Sequence, residues 1–147
     1  MSKELTSIKM NENRVFIDTN VLINCILGDR ENLRCVQYLS TLQGKSICIS
    51  SLSVAQTVAL LQKHKSRLDL DSIVNKLLVK FKILSFTEDD IKKSISISQT
   101  NDYEDKMQYA VCCKGKCFYI VTNNTKDYNR LLNVRTISPA KIRTINN

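Results

Sequence analysis

Acidic and amide side chains flank the apolar segments of this 147-residue chain at three places. They are Asp18 and Asn20, then Asp102, Glu104 and Asp105, then Asn123, Asn124 and Asp127. Clustered carboxylates repel one another unless a positive charge lies between them, and hard cations such as Mg²⁺ and Mn²⁺ prefer oxygen ligands. If the fold brings these groups together, their chemistry is that of a divalent metal site.

Each group also has a simpler interpretation, which the residues alone leave open. Residues 18–20 could cap the helix that follows them. Asp102 and Asp105 could supply negative charge to a helix N-terminus, worth about 0.3–1 kcal/mol. Asp127 could cap a helical turn at residues 129–132. The metal-site interpretation therefore depends on whether the elements that carry these acids converge.

Short apolar runs rich in β-branched and aromatic residues predict the strands. They are residues 14–18, 46–49, 81–84, 117–122 and 134–137. Segments with apolar residues at helical spacing separate them. These helices are expected at about 19–27, 31–42, 51–65, 69 or 71 to 79, 87–97 and 102–114. Residues 1–13 are expected to form a polar lead-in, and Pro139 begins a last helical turn.

This alternation predicts an α/β fold, a three-layer α/β/α sandwich with a mostly parallel, about five-stranded central sheet. In such sheets the loops that follow the strands gather at one rim, where ligands bind. Asp18 and the loop 123–127 are expected on that rim, and the helix that starts near Asp105 leads into the strand before that loop. Gln56 lies about one turn inside the helix after the second strand, in the same region.

The composition favours one globular domain over residues 1–147. Hydrophobic residues make up 43% of the chain and only 3 Gly and 1 Pro are present, which argues against disorder. The formal net charge of +8 favours a polyanionic partner, nucleic acid above all. A basic surface that serves solubility is the alternative.

The N-terminal segment and the cysteines indicate the cellular location of the protein. The N-terminal segment lacks the apolar core of a signal peptide, and no apolar run approaches the roughly 20 residues of a membrane span. We therefore expect a cytoplasmic protein with no membrane contact and with its 6 Cys reduced. Cys25, Cys35 and Cys48 fall in apolar patterns and are expected in the core. The cluster at residues 112–117 lacks the spacing of a zinc ribbon.

Two other enzyme and binding classes fit poorly. A phosphatase with an aspartyl nucleophile needs a second Asp two residues after Asp18, and this chain has Asn20 there. A doubly wound nucleotide binder needs a glycine-rich phosphate loop, and none of the 3 Gly lies in such a motif.

Three segments in this order resemble the PIN-domain family of metal-dependent ribonucleases, which includes the toxins of many toxin–antitoxin modules. They read RVFIDTNVLIN, SSLSVAQTVALL and NDYEDKMQYAVCCKGKCFYIVTNNTKDY, and a closing TISPAKI extends the match over nearly the whole chain. The resemblance implies Mg²⁺- or Mn²⁺-dependent hydrolysis of RNA phosphodiester bonds. It also suggests an antitoxin partner and a homodimer.

The resemblance assigns the site residue by residue. Asp18, Asp105 and Asp127 match the acids that ligate the metal and carry catalysis in the family. The neighbouring polar positions match Asn20, Asp102, Glu104, Thr122 and Asn124, and Asn123 stands where the family has Arg.

One departure concerns the family's glutamate on the helix after the second strand, where this chain has Gln56. An amide oxygen can ligate a cation but supplies no charge. The loss of one carboxylate weakens the Coulomb attraction for the cation by on the order of one to a few kcal/mol. The alternative is therefore a catalytically impaired PIN-like domain that binds RNA or protein without cutting.

Overall fold

The computed structural model describes residues 9–63, 69–128 and 134–146. Its strands are β1 (Asn11–Ile17), β2 (Ser46–Ser50), β3 (Lys82–Leu84), β4 (Cys117–Val121) and β5 (Arg135–Ile137). Its helices are α1 (Thr19–Ile26), α2 (Arg30–Thr41), α3 (Ser51–Lys63), α4 (Leu70–Lys80), α5 (Glu88–Ile95), α6 (Tyr103–Lys114), α7 (Thr125–Tyr128) and a 3₁₀ helix (Pro139–Thr144).

The strands form one parallel sheet in the order β3-β2-β1-β4-β5. β1 is central and alternates its side chains between the two faces: Val15 and Ile17 pack with α1 and α2, whereas Phe16 packs with α6. Because both faces are covered by helices, the strands are buried on both sides, as parallel strands require. The predicted α/β/α sandwich with a five-stranded sheet is confirmed.

The first strand differs from its predicted bounds at both ends. It begins at Asn11, because the Asn11 N–H donates to the Lys116 carbonyl over 2.7 Å and Asn11 pairs with Cys117. Residues 11–13, predicted as part of the polar lead-in, therefore extend the sheet. The strand ends at Ile17, and Asp18 leaves it to become the N-cap of α1.

The buried face of α3 was predicted correctly only in part. Helical spacing predicts a core-facing set of Leu52, Val54, Ala55, Val58 and Leu61. Leu61 is buried, but Ala55 is exposed, and the other buried residues are Ser53 and Thr57. The physical reason is that Ser53 hydrogen bonds with Thr19 of α1, so this part of the interior is polar. The predicted end of this helix at residue 65 lies outside the described residues, as does His64.

Side-chain caps begin the two helices on either side of β3. Asp69 caps α4 by accepting from the Ser72 N–H over 3.1 Å, and Thr87 with Asp90 forms a capping box at the start of α5. The apolar residues after that box, Ile91 and Ile95, are exposed at 42% and 67%, so the helix buries a polar face instead.

The state of the cysteines and the lengths of the helices test the predictions of reduced core cysteines and of no membrane span. All six cysteines are free, and five are buried, with Cys25 half-buried. Cys35 and Cys48 therefore pack in the core as predicted. Among the helices that the structure describes, none has the length and apolar character needed to cross a bilayer.

Asp90 joins two helices on the second face of the sheet. Its side chain is fully buried, and Oδ2 accepts from the Thr87 N–H over 2.8 Å and from Lys114 Nζ over 2.6 Å. Lys114, on α6, also donates to the Ser85 carbonyl. One carboxylate thus caps α5 and holds it against α6.

We predict that Asp90→Ala lowers the free energy of unfolding by about 2–4 kcal/mol, because it removes a cap and leaves Lys114 without its carboxylate partner. The matched control is Lys92→Ala, which breaks only the exposed pair with Glu88 and should cost less than about 1 kcal/mol. Chemical denaturation of both variants measures the difference. Equal small losses would show that Asp90 does not hold the helices together.

Candidate functional site

Asp18 lies at the carboxyl end of β1, in the centre of the sheet rim. Its side chain is only 3% exposed. Oδ1 accepts from the Thr19 N–H over 2.8 Å, and Oδ2 accepts from the Thr122 hydroxyl over 2.7 Å and from Asn20 Nδ2 over 2.9 Å. Three donors, two from the start of α1 and one from the loop after β4, therefore fix the orientation of this carboxylate.

Asp105 lies in the first turn of α6 and is 8% exposed. Oδ1 accepts from the buried hydroxyl of Tyr128 over 2.9 Å, which joins α6 to α7. Asp102 is the N-cap of the helix, where its Oδ1 accepts from the Asp105 N–H over 3.0 Å. Asp102 thus places its charge at a helix N-terminus, which was its simpler interpretation, and it also caps that helix.

The loop after β4 supplies further polar groups. Thr122 is buried beside Asp18, and its hydroxyl also accepts from the Asn124 N–H over 3.0 Å. Asn123, which the resemblance places at an arginine position of the family, donates from Nδ2 to Asn20 over 3.2 Å and to Asn32 of α2 over 2.9 Å. The amide therefore holds this loop against the starts of α1 and α2.

Three predicted site acids lie more openly around the buried pair. Asp127 is exposed on α7 and Glu104 is exposed on α6, as is Asp102 at its N-cap. Their charges still act on the interior: Glu104 contributes to the raised pKa of Asp18, and Asp102 and Asp127 contribute to that of Asp105.

Burial is the main cause of the pKa shifts. It raises the pKa of Asp18 against the opposing hydrogen bonds from Thr122 and Thr19. Burial likewise raises the pKa of Asp105 to about 7, although the hydrogen bond from Tyr128 lowers it and the Asp18 charge raises it further. The two buried carboxylates therefore repel each other, and the site favours a bound proton or cation.

Gln56 faces this region from α3. Its Oε1 accepts from the Thr19 hydroxyl over 3.0 Å and lies 3.5 Å from Gln108 Nε2. Thr19 directly follows Asp18, so Gln56, which the resemblance places at a glutamate position of the family, contacts the residue next to the buried acid. The structure thus brings position 56 to the rim, although it does so without a charge.

Sequence reasoning missed the buried polar network behind the acids. Gln108 on α6 is fully buried and donates to Thr19 over 2.9 Å and to Ser53 over 3.0 Å, and it accepts from the Ser50 hydroxyl over 3.0 Å. A glutamine among the apolar residues of a buried helix was the available signal. Tyr128, next to Asp127, was also missed as a partner of Asp105.

The donor set fits a hard divalent cation in its chemistry. The buried groups at the rim are oxygen ligands, and the thiols that would favour a softer metal lie in the core. Within residues 9–63, 69–128 and 134–146, no three histidine, cysteine, aspartate or glutamate side chains are arranged to hold a metal ion. The structure therefore offers two buried carboxylates with Asp127 outside them.

These features define a class of protein: a parallel α/β domain with an acidic site at the carboxyl ends of its central strands. The family model for the PIN domain matches residues 14–126, and the chain belongs to this family.

Known proteins agree with this assignment. Ribonuclease VapC1 of Aquifex aeolicus (strain VF5) is 28% identical over 137 residues, which cover 86% of this chain and 92% of the relative. A toxin–antitoxin complex from Klebsiella pneumoniae has a chain that matches with a TM-score of 0.66 and 20% identity, covering 85% of this chain and 97% of that one. A chain of VapBC2 from Rickettsia felis, in a structure bound to a DNA fragment from the VapBC2 promoter, matches with a TM-score of 0.67 and 17% identity. The match covers 85% of this chain and 98% of that one. The structural matches show the same fold.

We predict that the metal-free protein loses stability as the pH rises. The pKa of Asp105 is raised from 3.8 to about 7, so the folded protein keeps a proton that the unfolded chain has released. This contribution is present at low pH and is lost as the pH rises through about 7. Asp105→Asn should weaken the dependence. Thermal melts in a chelator, at pH values from below 3.8 to above 7, measure the change in stability. A wild-type melting temperature that rises with pH over this range would contradict the raised pKa.

Proposed function

We propose that this protein is a metal-dependent endoribonuclease that hydrolyses RNA phosphodiester bonds. The observation that carries the proposal is the pair of buried, mutually repelling carboxylates Asp18 and Asp105 at the rim of the sheet. Such a pair is costly to the fold unless a cation offsets it, which is typical of a functional site. Membership of the PIN-domain family supports the same conclusion.

The proposed roles follow from the contacts. Asp18 and Asp105 would ligate a Mg²⁺ or Mn²⁺ ion. Three hydrogen-bond donors fix the Asp18 carboxylate, and Tyr128 orients Asp105. Asp127 would complete the acidic set from the exposed α7 turn. A bound cation would polarise the scissile phosphate as a Lewis acid and lower the pKa of water at the site.

The biological role we propose is the toxin of a toxin–antitoxin module. The similarity to a relative named Ribonuclease VapC1, and the shared fold with chains of toxin–antitoxin complexes, support it. An antitoxin protein is the expected partner, a homodimer is the expected assembly, and a cytoplasmic location stays a prediction.

Gln56 supports a second candidate function. The Gln56 Oε1 accepts a hydrogen bond from Thr19, and the amide contributes no charge. By the resemblance to the family, the site then has one carboxylate fewer than the family pattern. A PIN-like domain that binds RNA or a protein partner without cleavage is therefore the alternative.

We predict that Asp18→Asn and Asp105→Asn each abolish Mn²⁺-dependent RNA cleavage while the fold remains intact. The swaps remove the charge that attracts the cation but keep the size of the side chain. Asp71→Asn, exposed on α4, is the matched control and should retain full activity. Cleavage of a structured and an unstructured RNA, with circular dichroism for folding, tests this. Retained activity in either site variant would remove that residue from the metal site.

We predict that Gln56→Glu strengthens metal binding. The new carboxylate keeps an acceptor for Thr19 and adds charge beside Asp18, so the metal-free variant should be less stable and its melting temperature should rise more with Mn²⁺. The control is Gln62→Glu, an exposed position on the same helix, whose effect should stay under about half a kcal/mol. Equal Mn²⁺-induced shifts in wild type, Gln56→Glu and the control would exclude position 56 from the site.

A further inference from the structure

A groove of about 430 Å³ lies between α2 and the C-terminal 3₁₀ helix, apart from the acidic pair. Arg30, Arg34, Tyr38 and Arg143 line it, and we refer to it as the arginine groove. Glu31 also lines it and is the acidic member of the lining. All three arginines are exposed, so their guanidinium groups are open to solvent.

The arginine groove has a rigid wall. The Arg143 guanidinium stacks over the Tyr38 ring, 4.9 Å from its centroid, and the Tyr38 hydroxyl donates to the Ile145 carbonyl over 2.7 Å. Beneath them, Val36 of α2 and Ile142 of the 3₁₀ helix belong to one buried cluster. Arg143 and Tyr38 are therefore held in place before any ligand binds.

Among the described residues, no acidic side chain forms a close ion pair with the arginines of the groove. In the part of the chain that the structure describes, no carboxylate oxygen lies within 4.0 Å of a guanidinium nitrogen of Arg30, Arg34 or Arg143. Surface arginines that have no acidic partner within the described ranges, on a chain of net charge +8, favour an anionic ligand.

The two walls of the groove begin near the rim that carries the acidic site. Arg30 is the first residue of α2, and the nearby Asn32 accepts from Asn123 in the loop after β4. On the other wall, the 3₁₀ helix starts at Pro139, two residues after the end of β5, and the Ile137 carbonyl accepts from the Thr122 N–H over 3.0 Å. Both walls thus begin beside the residues that hold Asp18.

We propose that the arginine groove binds the phosphate backbone of the RNA strand whose scissile bond lies at the Asp18–Asp105 site. This inference rests on the proposed function and adds a substrate subsite to it. It assigns to α2 and the 3₁₀ helix the task of holding the strand on one side of the cut.

The geometry favours RNA over an acidic peptide. Arg30 and Arg34 lie one helical turn apart, about 6 Å, which resembles the spacing of successive phosphates along an extended strand. The planar guanidinium fork matches phosphate oxygens in pairs. Arg143 is positioned by its stacking on Tyr38, so its fork loses little freedom when it binds.

The test is the affinity for a fluorescent single-stranded RNA of about 12 nucleotides, measured in a chelator so that cleavage does not interfere. Arg34→Gln with Arg143→Gln removes two charges from the groove. The matched control, Lys82→Gln with Lys92→Gln, removes two exposed charges from β3 and α5, on other parts of the surface. Circular dichroism checks that both variants fold.

We expect the arginine pair to weaken RNA binding about tenfold or more and to lower the salt slope by about 1.4, because each phosphate contact contributes about 0.7. The lysine pair should change the affinity less than about twofold, since its charges lie away from the strand. Selective loss in the arginine pair supports the subsite whether or not the wild type cleaves RNA in Mn²⁺.

Three results would overturn the proposal. One is equal loss, or no loss, in the two pairs, which would assign RNA binding to general surface charge or to another site. Another is wild-type protein that binds no RNA. The third is RNA binding unchanged in the arginine pair while binding of a glutamate-rich peptide is lost, which would assign the groove to an acidic protein. A separate cleavage assay tests the proposed function, which fails if the wild type does not cleave RNA in Mn²⁺.

Discussion

The hydrogen bonding of one buried carboxylate, that of Asp18, organises the functional end of this molecule. A carboxylate that is 3% exposed is tolerated only when its oxygens are paired. Its donors come from the start of α1 and from the end of β4, and the Asp18 N–H donates in turn to the Val121 carbonyl over 2.9 Å. The same residue therefore ends the central strand, caps the first helix and joins two neighbouring strands at the rim.

Behind Asp18 the interior is polar, and this decides how α3 packs. The hydroxyls of Thr19, Ser50 and Ser53 surround the Gln108 amide, so every polar atom of that side chain has a partner. A fully satisfied network of this kind specifies one arrangement of the helices, because a shifted helix would leave buried donors unpaired. The network also explains why Gln56 fits: it adds an acceptor for Thr19 at the edge of the same set.

The charge distribution of the chain has two opposed parts. The net charge is +8, yet the acids Asp18 and Asp105 are buried together where burial and mutual repulsion raise the pKa of Asp105 to about 7. The basic side chains lie outside, and Arg30, Arg34 and Arg143 meet in one groove. An acidic interior within a basic exterior supports the proposed function, because a basic exterior would attract an RNA strand and the acids would hold a cation.

The sequence alone determined the order of strands and helices, the parallel sheet, the rim and the family, because the apolar runs and the DTN segment after the first strand are local signals. It also placed Asp18 on the rim, since strand ends in a parallel sheet share one edge. Tertiary structure decided the rest. Asn11 joined β1 only because Cys117 was there to pair with it, and Ala55 became exposed because Ser53 found partners on other elements. The hydrogen bond from Tyr128 to Asp105 spans 23 positions and that from Gln108 to Thr19 spans 89, and no local pattern encodes such contacts.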